Sequence, residues 1–302
     1  MNVNLKKITT ESRNANTMDI DIVPTIEIVK KINNEDKTVA YSVEKAIPEI
    51  ARCVDMVYET FMNDGRLIYM GAGTSGRIGL VDAVECMPTY GVSPEMVQCL
   101  MAGGLPAMVK AVEGAEDSRD LAVEDLKKIN LSDKDIVIGI AASGRTPYVL
   151  GGIEYAKSIG AKTASISTSA NTVLSSLVDC PIEAVTGAEP ITGSTRMKSG
   201  TAQKMICNII STAAMVKMGK VYQNLMIDVQ ATNEKLVARS ISILKEITGL
   251  DDEIAKAVYE KYGSVKKAML GVLADISLEE VERLLNKNKG NIRQALKEAG
   301  VK

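Results

Sequence analysis

Two segments of this chain share one pattern: Leu67 to Arg77 (LIYMGAGTSGR) and Ile136 to Arg145 (IVIGIAASGR) are each an apolar, β-prone run that ends in Ser-Gly-Arg ahead of an amphipathic stretch. A strand, a small-residue turn bearing hydroxyls and then a helix start commit the chain to repeated β-α units. They also leave unpaired backbone N–H groups and the positive end of a helix dipole where an anion can sit. Two such turns point to a phosphorylated ligand. Around them strands and helices alternate: strand 67–70, helix 76–86, strand 96–101, helix 106–129, strand 136–141, helix 147–159, strand 162–167, a short strand 182–185 and, after a long loop, helix 201–218. Continuous apolar strands alternating with helices predict an α/β fold, a parallel sheet flanked by helices on both faces. Ligands of such sheets bind at the carboxyl ends of the strands, where both turns fall.

Upstream, Met1 to Met18 is polar and irregular, and helical patterns cover Thr25 to Asn33 and Val43 to Met62. After Asn233 the β-prone runs stop, and Ser277 with Glu280 forms a capping box on a helix that Gly290 ends. The expected organisation is an N-terminal arm with helices packing on the core (1–56), the α/β domain (57–232) and a bundle of three or four helices (233–302).

The chain contains no histidine, which removes the commonest general acid/base and the commonest metal ligand, so proton transfer falls to carboxylates and no metal site is expected. A net charge of −2 supplies no basic field for a nucleic-acid backbone. No stretch reaches the ~20 apolar residues needed to cross a bilayer, and the N-terminus lacks an apolar core with a cleavage site, so the expectation is a cytoplasmic protein without membrane or nucleic-acid partners. Cys53, Cys86, Cys99, Cys180 and Cys207 lack C-x-x-C spacing and read as reduced, structural thiols.

Gly71 to Gly76 matches G-x-G-x-x-G, the mark of a dinucleotide site, yet the next strand runs Met96 to Met101 into Ala102-Gly103-Gly104 without the acidic residue that takes ribose hydroxyls. A sugar phosphate fits the pair of turns better than a nicotinamide cofactor. In the second turn Ser143, Arg145 and Thr146 surround Gly144 ahead of Pro147, which suits a first helical turn. Glu85 sits among Val81, Val84, Cys86 and Met87; these neighbours either desolvate its carboxyl toward the range for acid/base work or leave it on a solvated face. Glu113, Glu116, Asp117 and Asp120 form an acidic patch from which spacing does not choose a catalyst. The loop from Gly187 to Thr201, carrying Ser194, Arg196 and Lys198, is long and polar enough to be a binding element.

At these residues the chain resembles the N-acetylmuramic acid 6-phosphate etherases of the sugar isomerase (SIS) superfamily, relatives of the glucokinase regulatory protein. The likeness covers Thr10 to Asn14, Ile32 to Val39, Gly71 to Arg77, Glu85, Ala111 to Ser118, Ala142 to Tyr148, Thr192 to Lys204 and Ala231 to Leu236. It implies a flavodoxin-like SIS domain with a small ubiquitin-associated-like bundle. It also implies a cofactor-independent lyase that removes D-lactate from N-acetylmuramic acid 6-phosphate to give N-acetylglucosamine 6-phosphate, in recycling of cell-wall sugars. Glu85 and Glu116 match the family's two acid/base carboxylates, Glu116 as base at carbon 2 and Glu85 as acid to the leaving lactate. By the same likeness Ser143 and Thr146 hold the 6-phosphate, with Gly73, Thr74, Ser75, Arg145 and Ser194 around the substrate. Arg196 and Lys198 take its lactyl carboxylate or phosphate. The family is homodimeric, and the Glu11 to Asn14 arm is a candidate to reach a neighbouring subunit. The alternatives are a sugar-phosphate isomerase and a non-catalytic sugar-phosphate-binding regulator.

Overall fold

The computed structural model describes residues 9–301 apart from Ala111 and Thr232; the start of the arm (Met1 to Ile8), those two motif positions and Lys302 lie outside the described residues. The chain divides into two units, residues 1–84 with 94–211 and residues 85–93 with 212–302. The helical unit thus begins at Thr212 and takes in 85–93, where the sequence reading drew its start at 233.

In chain order, helices α1 (Thr25–Asp36), α2 (Val39–Glu44) and α3 (Ile47–Met62) precede strand β1 (Leu67–Gly71) and helix α4 (Gly73–Tyr90). The expected single helix Val43 to Met62 is interrupted because Pro48 lacks an N–H and is accommodated only in the first turn of a new helix. Strand β2 (Val97–Met101) follows, then a short helix α5 (Pro106–Val109), a 3-10 turn at Ala115–Asp117 and helix α6 (Arg119–Lys128). One long helix was expected from 106 to 129. Extended Lys110 ends α5, Gly114 turns the chain at a left-handed φ of 74°, and Ser118 starts α6 by accepting the Leu121 N–H. Strand β3 (Ile136–Ile140), helix α7 (Pro147–Ser158), strand β4 (Lys162–Ser167), helix α8 (Val173–Leu177), strand β5 (Cys180–Glu183) and helix α9 (Lys198–Lys217) complete the series.

The five strands pair in parallel in the order β2-β1-β3-β4-β5, and β1 and β3 are buried along their whole length. Their apolar runs read as continuous because both faces are covered. Ile68, Met70 and Val137 pack with Ala122 and Leu126 of α6 and with Tyr148, Val149 and Ile153 of α7. Ala115 belongs to the same core, which pins the 3-10 turn.

The second unit holds a hairpin of β6 (Val221–Tyr222) with β7 (Leu225–Met226) and helices α10 (Glu234–Thr248), α11 (Asp252–Tyr262), α12 (Val265–Ala274), α13 (Leu278–Lys287) and α14 (Ile292–Glu298). Among the described residues this tail holds five helices rather than three or four, because left-handed residues at Gly249, Gly263 and Asp275 end α10, α11 and α12 in turn. The Ser277 hydroxyl accepts the Glu280 N–H as the capping box requires. Among the described residues no helix is long and apolar enough to cross a membrane.

Candidate active site

The register pairs Gly71 with Ile140, so the two Ser-Gly-Arg turns leave neighbouring strands at the same level of the sheet. Parallel neighbours lie about 4.8 Å apart. In this strand order β1 and β3 flank the point where the connections reverse direction, the place where open α/β sheets take their ligands.

The first turn opens onto a cavity of about 240 Å³ lined by Gly73, Arg77, Glu113, Gly114 and Glu116, with an apolar wall that includes Met101, Ala107 and Val112. Gly73 has a φ of 53° and nothing within 4 Å of the place a Cβ would occupy, so its bare backbone forms part of the mouth. Arg77 donates from Nε to the Met108 carbonyl (3.1 Å) and from Nη2 to that of Ala107 (2.7 Å), which holds the α5 segment against the turn. Of the four acidic residues that spacing could not separate, Glu113 and Glu116 line this cavity. Asp117 and Asp120 are exposed and do not line it. Cys99 donates to the Gly76 carbonyl, and burial pushes its thiol up to about 12, so it is an inert, structural thiol.

The second turn is backed by the β4–α8 connection, and Thr172, Ser175, Glu183 and Glu49 of its surroundings line a separate cavity of about 630 Å³. Gly144 has a φ of 62°, and a Cβ there would stand 2.3 Å from that of Thr172. Thr172 caps α8 by accepting the Ser175 N–H. Glu183 accepts the backbone N–H groups of Asn171 (2.8 Å) and Thr172 (2.9 Å). Burial pushes the Glu183 carboxyl up, but Ser175 and these donors outweigh it and hold the group below the usual range. In front of this backing stand the half-buried Ser143 and Thr146 and the exposed Arg145. The Thr146 hydroxyl makes no capping bond to α7, which leaves it available to a ligand at the helix N-terminus.

The start of α9 ties the two turns together. Ser75 Oγ donates to Gln203 Oε1 (3.0 Å), and Gly200 lies against Thr74. Thr168, just after β4, donates to Ser199 Oγ (2.9 Å), and its backbone N–H donates to the Ala142 carbonyl of the second turn (3.0 Å). Buried Glu189 accepts the N–H groups of Lys198 and Ser199, the natural place for a carboxylate at a helix start. Gln203, Glu189 and Arg77 carried no signal of their own in the sequence beyond lying inside quoted motifs or loops, because their roles come from residues distant in the chain.

The expectation for Lys198 is corrected here. Its side chain is buried, and Nζ donates to Glu35 (2.8 Å) and to the Ala188 carbonyl (3.1 Å), so the ammonium is already paired and does not face a ligand. Burial pushes Glu35 up, yet Lys198 and Asn16 outweigh it and hold its carboxyl below the ordinary range. The arm joins the same cluster. Thr10 O accepts the Gly193 N–H, Asn14 donates to the Ala188 carbonyl and Thr17 to that of Pro190, so residues 10–17 strap the 187–198 loop of their own chain. Ser194 is half-buried on that loop and Arg196 is exposed.

Glu85 is not among the residues that line the cavity; it is exposed on α4. The neighbours read as desolvating it are themselves open, with Val81, Val84 and Met87 all exposed. Among the described residues no group of three or more His, Cys, Asp or Glu side chains is arranged to hold a metal ion.

A parallel sheet with two hydroxyl-bearing turns at its switch point places the molecule among the sugar isomerase domain proteins. Residues 49–157 match the glucokinase regulatory protein N-terminal SIS domain, and residues 118–213 match the SIS domain. The fold is shared with a protein of E. coli CFT073 solved as a complex (17% identity, TM-score 0.50, 67% of this chain and 97% of that one). It is also shared with a Bacteroides fragilis NCTC 9343 protein involved in capsule formation (19% identity, TM-score 0.50, 67% and 95%). Over its whole length the chain is similar to proteins named N-acetylmuramic acid 6-phosphate etherase. The one from Clostridium botulinum strain Okra is 53% identical over 98% of this chain and 99% of its own. The one from Bacillus cereus strain AH820 is 54% identical over 97% and 100%. The chain belongs to the N-acetylmuramic acid 6-phosphate etherase family.

Proposed function

We propose that this protein is a carbon–oxygen lyase that cleaves the lactyl ether of N-acetylmuramic acid 6-phosphate, releasing D-lactate and leaving N-acetylglucosamine 6-phosphate, in amino sugar recycling in the cytoplasm. The observation that carries the reading is the Gly71–Ile140 register, which sets a phosphate cradle beside a turn whose cavity contains Glu116. Ser143 and Thr146, with the α7 N-terminus, hold the 6-phosphate, and Arg145 and Arg196 are further cations for it. Thr74 and Ser75 meet the sugar. Because its one hydrogen goes to Gln203, Ser75 is left as an acceptor for a sugar hydroxyl.

With the sugar in its open form, the carbonyl at carbon 1 acidifies the proton at carbon 2. The Glu116 carboxylate takes that proton as the carbon 3–oxygen bond breaks, and a carboxylic acid delivers a proton to the departing ether oxygen. Water then adds at carbon 3 of the unsaturated aldehyde, and carbon 2 regains a proton. Glu85 is the partner acid. Its exposure, flanked by exposed Val81, Val84 and Met87, supports a homodimer in which a second copy covers that face and supplies the desolvation that one chain lacks. Lys198 has no contact with substrate in this scheme and positions the start of α9.

The test is incubation with N-acetylmuramic acid 6-phosphate in deuterated water. Lactate release with deuterium at carbon 2 of the product is expected. A ketose product without lactate would make the protein an isomerase, and binding without turnover would make it a regulator.

A further inference from the structure

We infer that Arg77 is the seat of the lactyl carboxylate and thereby sets the preference for an acidic ether, an assignment that rests on the etherase reading. The cavity beside the first turn has Glu113 and Glu116 on its wall, and Arg77 is the only cation among its described lining residues. A substrate that brings a further carboxylate to these two needs a counter-charge at the same place. The other cations near the turns do not supply it: Lys198 is paired with Glu35, and neither Arg145 nor Arg196 lines the cavity.

The geometry of the guanidinium suits the task. Nε and Nη2 are held by the Met108 and Ala107 carbonyls, which fixes the plane of the group, and Nη1 has no hydrogen-bond partner among the described residues. A guanidinium carries five N–H donors, so the clamp leaves several for a ligand, already oriented. Size agrees as well. At about 240 Å³ the cavity is smaller than the ~300–1,000 Å³ of sites that take a whole drug-sized ligand, so it receives one end of the substrate while the phosphate stays at the second turn. The remaining wall, with Met101, Ala102, Ala107 and Val112, is apolar and accepts the lactyl methyl. The same guanidinium therefore holds the α5 segment and reads the group that Glu116 helps to expel.

The experiment compares kcat/KM for two ethers of N-acetylglucosamine 6-phosphate, the natural D-lactyl ether and the 3-O-isopropyl ether, in which a methyl replaces the carboxylate. The ratio of the two isolates the carboxylate, because damage to the α5 segment slows both substrates alike. In Arg77→Met the preference for the lactyl ether should fall roughly 10- to 100-fold, the range for a lost hydrogen-bonded charge contact. Val112→Asp, at an exposed rim position that leaves the clamp in place, should lower the same ratio by repelling the carboxylate, and it keeps the test open if Arg77→Met does not fold. An unchanged ratio in Arg77→Met, or in Val112→Asp where Arg77→Met is unfolded, reduces Arg77 to a clamp and overturns the assignment. So does a collapse of the ratio in Arg196→Met with Arg77→Met unaffected. Absence of lactate release by the unmodified protein would instead remove the etherase reading on which the assignment stands.

Discussion

The two Ser-Gly-Arg turns look alike in sequence and are built for different work. At the first, Gly73 faces open space, Ser75 has given its hydrogen to Gln203, Arg77 clamps α5, and Glu113 and Glu116 line the cavity. At the second, Gly144 is pressed against Thr172, Glu183 is spent on the Asn171 and Thr172 N–H groups, and the Thr146 hydroxyl makes no capping bond to α7. In the proposed function, identical letters on adjacent strands serve as a reacting side and an anchoring side through what each strand's next neighbour contributes. The segment after β2 supplies acid to the first turn, and the β4–α8 connection supplies a rigid backing to the second.

That division breaks most readily at the carboxylates. Glu116→Gln should lower lactate release at least ~100-fold with little change in thermal midpoint, and Glu85→Gln likewise, whereas Asp120→Asn, away from the cavity, should stay near the parent rate. Turnover within a few-fold of the parent in Glu116→Gln would end the assignment of the first turn to chemistry. The glycines sharpen the contrast in stability. Gly144→Ala combines a left-handed backbone with a Cβ overlapping Thr172 and should cost about 2–4 kcal/mol, while Gly73→Ala meets open space and should cost about 1–2 kcal/mol. Urea unfolding of both variants measures this, and equal losses would erase the difference in backing.

Ser143→Ala should raise KM for the phosphosugar roughly 10-fold with kcat nearly kept, since an anchoring contact is made equally in the ground and transition states. A fall in kcat alone would move the second turn to the reacting side. The smallest effect concerns the strap that steadies α9 above the first turn. The Glu35 carboxyl is held below its ordinary 4.5, so its contribution to stability is present above about pH 4.5 and is lost as pH falls through the lowered folded value. Glu35→Gln should flatten the acid limb of a plot of thermal midpoint against pH, and an identical limb would show that the pair with Lys198 does not act there.

Much of the sheet was legible from local pattern. Strands 67–70, 136–141 and 162–167 were read within a residue, because fully buried parallel strands are continuous apolar runs. The region 106–129 was misread as one helix, although Gly114 stood in the middle of it, since its periodicity on either side resembled a single amphipathic face. That error hid the 3-10 turn on which Glu116 sits. Lys198 was read as a ligand contact because a cation in a polar loop gives no hint of a partner more than 160 residues away at Glu35. Gln203 and Arg77 lay within motifs already quoted, yet their hydrogen bonds to Ser75 and to the α5 carbonyls are tertiary facts.

The sequence by itself determined the layered α/β class, the two strand–turn–helix units, the lack of histidine, and the family to which the residues belong. These are properties of local periodicity, helix starts and residue chemistry, which need no knowledge of distant neighbours. Only the tertiary structure decided that Glu113 and Glu116 share a cavity with Gly73 while Asp117 and Asp120 do not, that Lys198 is locked to Glu35, and that Glu85 stands exposed on its helix. Burial, ion pairing and the direction of a side chain are set by the elements that pack against it, and a linear chain does not announce which those will be.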